Sequence, residues 1–301
     1  MNPRISVVIP AFNAAATIAE AVGAVMSQAL PEDEWELMVV DDGSSDATAE
    51  LAKTGGARVL CLGKNQGVSF ARNAGVEKAR APWVAFTDAD CIPSRRWLSW
   101  LVAAADSADR STLGFAGRTL GFNSRTPAAR FMDLIGALDA EQYMKHGAFP
   151  WAPSCNLVCR RTDLLEVGGF DPGLRYYETP DLHLRLICRF GGSLRHVPNA
   201  LVLHRHRASW GELWRQQRNY GVGYAYFLNR YADQWPWSFH SEWKAWMKLM
   251  KLALAACAWQ GERGLVRRGL LVKHLSQHLG FASTFYKLKS HQVLGEESIR
   301  E

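Results

Sequence analysis

Apolar runs alternate with helix-patterned segments through the first 120 residues of this 301-residue chain. Arg4–Ile9, Glu36–Val40 and Arg58–Leu62 are short apolar runs, and Ala14–Gln28 between the first two carries apolar residues at helical spacing. This alternation is typical of βαβ units, because two parallel strands need a crossover connection that is usually a helix. The sequence therefore predicts an α/β fold with a mostly parallel sheet flanked by helices.

A further apolar run, Pro82–Phe86, is followed by two carboxylates one residue apart, Asp88 and Asp90. A continuous apolar run predicts a buried strand of a parallel sheet. Two aspartates at its end repel each other unless a positive charge lies between them. Mg²⁺ and Mn²⁺ prefer carboxylate oxygen and share their coordination with substrate phosphates. The pair predicts a divalent-cation site, and a solvated acidic turn is the alternative.

Polar loops follow three of the predicted strands, at Pro10–Asn13, Asp41–Asp46 and Asp88–Asp90. The carboxyl ends of parallel strands meet at one edge of a sheet, where ligands bind in such folds. We therefore expect the three loops to form one pocket.

The pattern loosens in the second half of the chain. The periodicity there predicts one helix over Ala128–His146, a strand over Ser193–His204 and further helices over Leu182–Phe190, Trp210–Tyr231, Glu242–Trp259 and much of Val266–Lys289.

Several motifs occur in a fixed order along the first two thirds of the chain. They are Val8–Asn13, Val40–Asp46, Asn65-Gln66-Gly67 with Ala71-Arg72-Asn73, Asp88-Ala89-Asp90, and Val167–Asp171. In this order and spacing they resemble family 2 glycosyltransferases, a GT-A-fold group that uses nucleotide-diphospho-sugars. The resemblance runs from about Ile5 to about Tyr231. It implies a Rossmann-type sheet and the inverting transfer of a sugar to an acceptor hydroxyl.

The resemblance also implies a set of donor-binding residues. Asp41 or Asp42 would accept a hydrogen bond from the nucleotide base, a charge-assisted bond, and Arg72 would lie near that base. The alternatives are a turn with an Asx bond for Asp42 and a helix-face ion pair for Arg72. The predicted nucleotide-sugar-binding residues are Pro10, Ala11, Asn13, Asp41, Asp42, Asn65, Arg72, Asp88 and Ala89.

Three residues are implied as metal ligands by the same resemblance. Asp90 would bind the ion directly, Asp88 would contact the ribose or the ion, and His204 would complete the coordination. The cation would neutralise charge on the departing nucleoside diphosphate. We expect Mn²⁺ or Mg²⁺, and an imidazole ligand favours manganese. The alternative for His204 is an ordinary surface histidine.

The acceptor side departs from the family pattern, which has Glu-Asp with the aspartate as catalytic base. Here Glu178 is followed by Thr179, and a threonine hydroxyl cannot accept a proton at neutral pH. Glu178, and after it Asp181, are the predicted replacements for the base. An N-cap of the helix from Leu182 is the alternative role for Asp181. Asn156 is predicted to shape the acceptor pocket, or else to be a hydrogen-bonded turn residue.

The predicted division of the chain is a catalytic domain over residues 1–231 and a basic, Trp-rich helical extension over 232–301. From His204 onward there are 15 Lys and Arg against 7 Asp and Glu, whereas residues 1–203 have 20 against 22. Basic helices with tryptophan suit an anionic membrane surface, and helices packed with a solvated basic face are the alternative. Nucleic acid is not predicted as a partner, since no recognition motif accompanies the charge.

The expected location is cytoplasmic, at the inner face of the membrane. The first predicted strand leaves no room for a signal peptide, and no apolar stretch reaches the roughly 18–20 residues of a membrane span. The expected partners are a UDP-, GDP- or dTDP-sugar donor and a lipid-linked or envelope glycan acceptor.

Two other functions stay open. Thr179 suggests a nucleotide-sugar-binding protein of the same fold that is weak or inactive as a catalyst. A nucleotidyltransferase should carry a Gly-rich phosphate loop after the first strand, and Pro10–Asn13 does not supply one.

Overall fold

The computed structural model describes residues 3–146, 149–234, 246–247, 249–251, 253 and 260–297. Contacts among them divide the chain into two units. The first unit contains the sheet and comprises the described residues of Met1–Asn123, Gly136–Gly173 and Glu178–Arg205. The second unit is helical and comprises those of Ser124–Ile135, Leu174–Tyr177 and His206–Glu301. The division into functional domains after residue 231 stays a prediction.

The first unit is built on an eight-stranded sheet in the order β3-β2-β1-β4-β7-β6-β8-β5. Its strands are β1 (Ile5–Ala11), β2 (Trp35–Asp41), β3 (Arg58–Cys61), β4 (Trp83–Phe86), β5 (Cys91–Pro93), β6 (Thr112–Gly121), β7 (Leu157–Arg160) and β8 (Ser193–His204). Parallel pairing joins β1 to β2 and β4, β2 to β3, and β6 to β8. Antiparallel pairing joins β7 to β4 and β6, and β5 to β8. The predicted α/β fold with a mostly parallel sheet is confirmed.

Helices cover both faces of this sheet. They are α1 (Ile18–Met26), α2 (Thr48–Thr54), α3 (Val68–Lys78), α4 (Trp97–Asp106), α6 (Ala140–His146), α7 (Arg161–Glu166) and α8 (Glu178–Phe190). The remaining short helix, α5 (Pro127–Leu134), belongs to the second unit. Alternate residues of β1 enter different cores, because successive side chains of a strand point to opposite faces. Val7 packs in a cluster with Val22 of α1 and Leu98 of α4, whereas Val8 packs with Ala71 of α3 and Leu182 of α8. Burial on both faces explains why the strand reads as a continuous apolar run.

The prediction of one helix over Ala128–His146 is wrong. The chain leaves α5 at Leu134 and enters α6 at Ala140. Between them Gly136 and Leu138 adopt φ values of +60° and +70°. A right-handed helix cannot contain left-handed residues, so the helical periodicity on either side does not extend through this connection.

The second unit contains two long helices, α9 (Trp210–Arg230) and α10 (Gly261–Glu297). Ser209 and Glu212 form a capping box that begins α9, an arrangement that satisfies two otherwise unpaired backbone donors. A Cβ on Gly221 would lie 1.9 Å from the Gln277 carbonyl oxygen, and one on Gly280 would lie 2.0 Å from that of Arg218. The two backbones can approach this closely only because both positions are glycine.

The C-terminal helices are the region for which contact with a membrane surface was predicted. None of the helices in the described part of the chain is both long enough and apolar enough to cross a bilayer. Trp246 is 47% exposed and its ring meets His278 edge-on at 4.5 Å. The other tryptophans of the predicted extension, Trp235, Trp237, Trp243 and Trp259, and most of the predicted helix Glu242–Trp259, lie outside the described residues.

Among the glycines in the strands of the sheet, Gly117 of β6 is the one whose replacement we expect to be most destabilising. A Cβ there would lie 2.0 Å from the carbonyl oxygen of Ala200 and 2.4 Å from Nδ2 of Asn156. We expect Gly117→Ala to lower the free energy of unfolding in urea by about 1–3 kcal/mol, the usual cost of overpacking.

A matched control lies on the exposed side of α1. Gly23 has no described atom within 4 Å of an added Cβ, so Gly23→Ala should raise the free energy of unfolding by roughly 0.5–1 kcal/mol through helix propensity. A Gly117→Ala protein as stable as the wild type would contradict the close packing of β6 against β8.

Candidate active site

The loops after β1 and β2 are joined by hydrogen bonds. The backbone N–H of Asn13 donates to Oγ of Ser44 at 2.9 Å, and the N–H of Ser45 donates to Oδ1 of Asn13 at 2.9 Å. Asn13 has φ of +48°, a left-handed conformation that asparagine tolerates better than most residues. Pro10 and Ala11, predicted as loop residues, are the last two residues of β1. Both are buried.

The two adjacent aspartates after β2 have different partners. Each carboxylate oxygen of Asp42 accepts one backbone N–H at 2.8 Å, from Gln66 and Gly67 respectively. Asp41 accepts a longer bond from the N–H of Ser44, three residues further along the same loop. Both aspartates are buried, and Asn65 next to this loop is exposed.

Gly43 brings these two loops together. It has φ of +75°, and a Cβ there would lie 2.6 Å from Cα of Lys64. The loop after β2 therefore packs backbone to backbone against the loop after β3.

Arg72 of α3 lies between two carboxylates. Its Nη1 donates to Oε1 of Glu178 at 2.9 Å and its Nη2 donates to Oδ1 of Asp88 at 3.0 Å. The side chain is 4% exposed. Burial lowers the pKa of the guanidinium, and the charges of Asp88 and Glu178 more than offset this, so its pKa is raised. The structure thus brings three predicted site residues into one ionic cluster, in which Arg72 and Glu178 are buried and Asp88, like Ala89 after it, is half-buried.

A second cluster forms where β5 pairs with β8. Cys91 lies opposite His204 in this antiparallel pair. Nε2 of His204 lies 3.6 Å from Oδ1 of Asp90. Potential ligand atoms of Asp90, Cys91 and His204 all lie within 4.8 Å of one another. Asp88, the other predicted ligand, contacts Arg72 through Oδ1, and its role as a ligand stays a prediction.

The donor atoms of this cluster fit a divalent cation. A carboxylate oxygen and an imidazole nitrogen 3.6 Å apart can ligate one ion, and Mn²⁺ accepts both ligand types. Burial raises the pKa of the Cys91 thiol well above its usual range, and Cys155, Asp88 and Asp90 raise it further. The thiol is therefore protonated and a poor ligand for a hard cation. Two protein ligands leave coordination positions for substrate phosphates and water.

Helix α8 begins earlier than the sequence predicts. It starts at Glu178 rather than Leu182, so Asp181 lies inside the first turn and its predicted alternative role as N-cap is wrong. Pro180 does not interrupt the helix, because the first turn has no intrahelical N–H bond to lose. Glu178 and Thr179 are both buried.

Asp181 is 0% exposed and is bound to Arg185 of the next turn. Nε and Nη2 of Arg185 lie 2.8 Å and 2.7 Å from Oδ2 of Asp181. The same guanidinium donates to the carbonyl oxygens of Val167 and Gly169. These contacts favour a role for Asp181 in orienting Arg185 against the turn before α8.

Asn73 also holds this turn, through a contact that the sequence does not reveal. Its Oδ1 accepts the N–H of Phe170 at 2.8 Å and its Nδ2 donates to the Phe170 carbonyl at 2.7 Å. Gly169 has φ of +68°, and a Cβ there would lie 2.3 Å from Oδ1 of Asn73. Asn73 and Phe170 each lie in one of the ordered motifs, but nothing in the sequence indicates that the two motifs contact each other.

Asn156 is 2% exposed and both polar atoms of its amide are hydrogen-bonded inside the first unit. Its Oδ1 accepts from Nε1 of Trp97 at 2.9 Å, and its Nδ2 donates to the carbonyls of Arg118 and Ala200. These contacts favour a role in fixing β6, β8 and α4 beside the site. Contact between Asn156 and an acceptor stays a prediction.

A family profile and individual relatives assign the chain to the same protein family. The profile described as "Glycosyl transferase family 2" matches residues 6–168. Glycosyltransferase AglE of Haloferax volcanii is 30% identical over 227 residues, 73% of each chain. The pre-mycofactocin glycosyltransferase of Mycobacterium tuberculosis is 31% identical over 239 residues, 76% of this chain and 48% of that one. This chain therefore spans about half the length of the mycobacterial relative.

A solved structure shows the same fold. The mannosyltransferase PcManGT from Pyrobaculum calidifontis, in complex with GDP-Man and Mn²⁺, superposes with a TM-score of 0.65 at 17% identity and covers 95% of this chain and 88% of its own. The family profile and the archaeal relative agree with the ordered motifs, and the fold agrees with the sheet. The chain belongs to glycosyl transferase family 2 and has the GT-A fold.

Proposed function

We propose that this glycosyltransferase moves a sugar from a nucleotide-diphospho-sugar to an acceptor hydroxyl, with inversion and with a divalent cation. The main observation in support of this proposal is that Asp90 and His204 place two potential cation ligands, Oδ1 and Nε2, 3.6 Å apart. The loops after β1, β2 and β4 follow strands that run in parallel. The predicted base-binding and diphosphate-binding residues therefore share one edge of the sheet.

On the donor side, Asp41 and Asp42 are the residues that would meet the nucleotide base. Asp42 is anchored by two backbone N–H groups, and each of its oxygens keeps a second lone pair to accept a bond from the base. Asp90 and His204 would hold the cation, which when bound neutralises charge on the departing diphosphate. The ligands in the PcManGT structure, GDP-Man and Mn²⁺, support this donor class.

On the acceptor side, Glu178 is the residue we propose as general base. Its carboxylate would take the proton of the acceptor hydroxyl while the hydroxyl oxygen attacks the anomeric carbon and the nucleoside diphosphate leaves on the opposite face. Glu178 is bound to Arg72, which is also bound to Asp88 of the loop after β4. Asp181, the other candidate, is enclosed and bound to Arg185.

The acceptor in this proposal is a lipid-linked or envelope glycan precursor at the cytoplasmic face of a membrane. What supports it is the basic excess after His204, since basic residues are attracted to anionic lipid at about 1 kcal/mol each near the surface.

A donor panel tests the function. The purified chain is mixed with UDP-, GDP- and dTDP-sugars, with Mn²⁺ or with chelator, and its melting temperature and the release of nucleoside diphosphate are measured. We expect one nucleoside class to stabilise the protein only with metal, by about 2.7 kcal/mol at a hundredfold excess over Kd, and to be hydrolysed slowly. Stabilisation without release would favour the binding protein. A nucleotidyltransferase would instead release pyrophosphate from a nucleoside triphosphate and a sugar 1-phosphate, which are supplied in a separate arm of the test.

A further inference from the structure

Arg72 connects the two halves of the reaction as proposed above. One end of its guanidinium holds Asp88, two residues from Asp90, and the other holds Glu178. These partners come from the loop after β4 and from the first turn of α8, 16 and 106 residues away from Arg72. The ring of Phe170 lies under the guanidinium at 5.3 Å.

The chemistry of this contact requires arginine. A guanidinium is a planar fork whose donors can serve two carboxylates at fixed geometry, whereas an ammonium on a flexible stem acts as a point charge. Arg72 is almost fully enclosed, and its ion pair with Glu178 is better shielded from water than its ion pair with Asp88, whose side chain is 29% exposed. One planar group thus contacts both the loop after β4 and the first turn of α8.

Thr179 increases the importance of this contact. With threonine where the family pattern has its aspartate, Glu178 is the carboxylate that remains at the start of α8, and its Oε1 is fixed by Nη1 of Arg72. A base must be held within hydrogen-bond reach of the proton it removes.

We propose that Arg72 is a positioning residue that acts through Glu178, keeping the base aligned with the Asp88–Asp90 loop, rather than a residue that binds the nucleotide base. This proposal rests on the proposed function. It replaces the role implied for Arg72 by the family resemblance.

The test combines Arg72→Lys, Glu178→Gln and the double variant, with Arg80→Lys as the matched control. Arg80 is an exposed arginine paired with Glu36, so its replacement should leave kinetics and melting temperature unchanged. For Arg72→Lys we expect kcat to fall about 10–100-fold, since small misplacements cost this much. The donor KM and the Kd for nucleoside diphosphate with Mn²⁺ should stay within about threefold, because the nucleotide keeps its contacts.

The double variant gives the readout that a merely structural role would not. If Arg72 acts through Glu178, adding Arg72→Lys to Glu178→Gln should lower kcat no further. Additive losses would overturn the proposal. A tenfold rise in nucleotide Kd with unchanged kcat would also overturn it, because that result would show that Arg72 binds the nucleotide base.

If Arg72→Lys does not fold, the double variant Arg72→Gln/Glu178→Gln is compared with Glu178→Gln. This pair tests the same dependence and leaves no buried glutamate without its arginine. A wild-type protein that binds donor but never turns it over would reject the proposed function itself, and the positioning role with it.

Discussion

A Glu178→Gln protein should bind its donor normally and lose turnover by about 10²–10⁴-fold, the usual contribution of a general base. Glutamine is nearly the same size and can still accept the bond from Arg72, so the ionic cluster loses a charge but keeps its packing. The measurement is steady-state release of nucleoside diphosphate at saturating donor, with nucleotide Kd determined on the same preparation. Retained binding with lost kcat would identify a group needed for the chemical step.

Asp181→Asn separates the two candidate bases. Asp181 is buried against Arg185, which in turn holds the carbonyls of Val167 and Gly169. We expect this variant to lose about 2 kcal/mol of stability, as for a weakened charged hydrogen bond in a buried pair, with kcat less affected than in Glu178→Gln. The opposite result, a stable Asp181→Asn protein without turnover beside an active Glu178→Gln protein, would transfer the role of base to Asp181.

The second large effect is expected for Asp90→Asn. The amide has the size of the carboxylate but no negative charge, so the cation would lose the only negative charge among its two proposed protein ligands. Stabilisation of the leaving diphosphate by metal amounts to several kcal/mol, which corresponds to a loss of roughly 10²–10⁴ in rate. The nucleotide-induced rise in melting temperature should also become independent of Mn²⁺.

Asp33→Asn is the matched control for this variant. Asp33 is an exposed aspartate in the short 3₁₀-helix before β2, and its replacement should leave the metal-dependent shift intact. A shift of wild-type size in Asp90→Asn would remove Asp90 from the metal site, and the proposed cation chemistry would then have no carboxylate ligand at this position.

The sheet could be predicted because its signals are local. Each strand of the parallel half is a short apolar run, and β1, β2 and β4 carry their polar loops immediately after the run. The break between α5 and α6 could not be predicted, because the helical spacing is the same on both sides and only the backbone at Gly136 and Leu138 departs from it. The antiparallel insertion of β7 between β4 and β6 depends on pairing between distant segments, which periodicity does not reveal.

The sequence identified which residues belong to the candidate site, but it did not reveal which of them contact one another. Ordered motifs named Arg72, Asp88 and Glu178, yet the ionic cluster that joins them depends on α3 meeting α8 across more than a hundred residues. The start of α8 was misplaced because Pro180 suggests a boundary, whereas the structure accommodates it in the first turn. The place of Cys91 beside the proposed metal ligands could not be predicted, because the only indication in the sequence is its position next to Asp90.

The hydrogen bonds of Asp42 have a consequence for how a nucleotide would enter. Gln66 and Gly67 are already fastened to that carboxylate, so the entropy lost in ordering their segment is lost when the chain folds and not when the ligand arrives. Selectivity for one nucleotide base would then depend on a geometry that is already fixed in the folded protein before the nucleotide binds. A substitution that loosened this segment would weaken nucleotide binding without removing any group that touches the nucleotide.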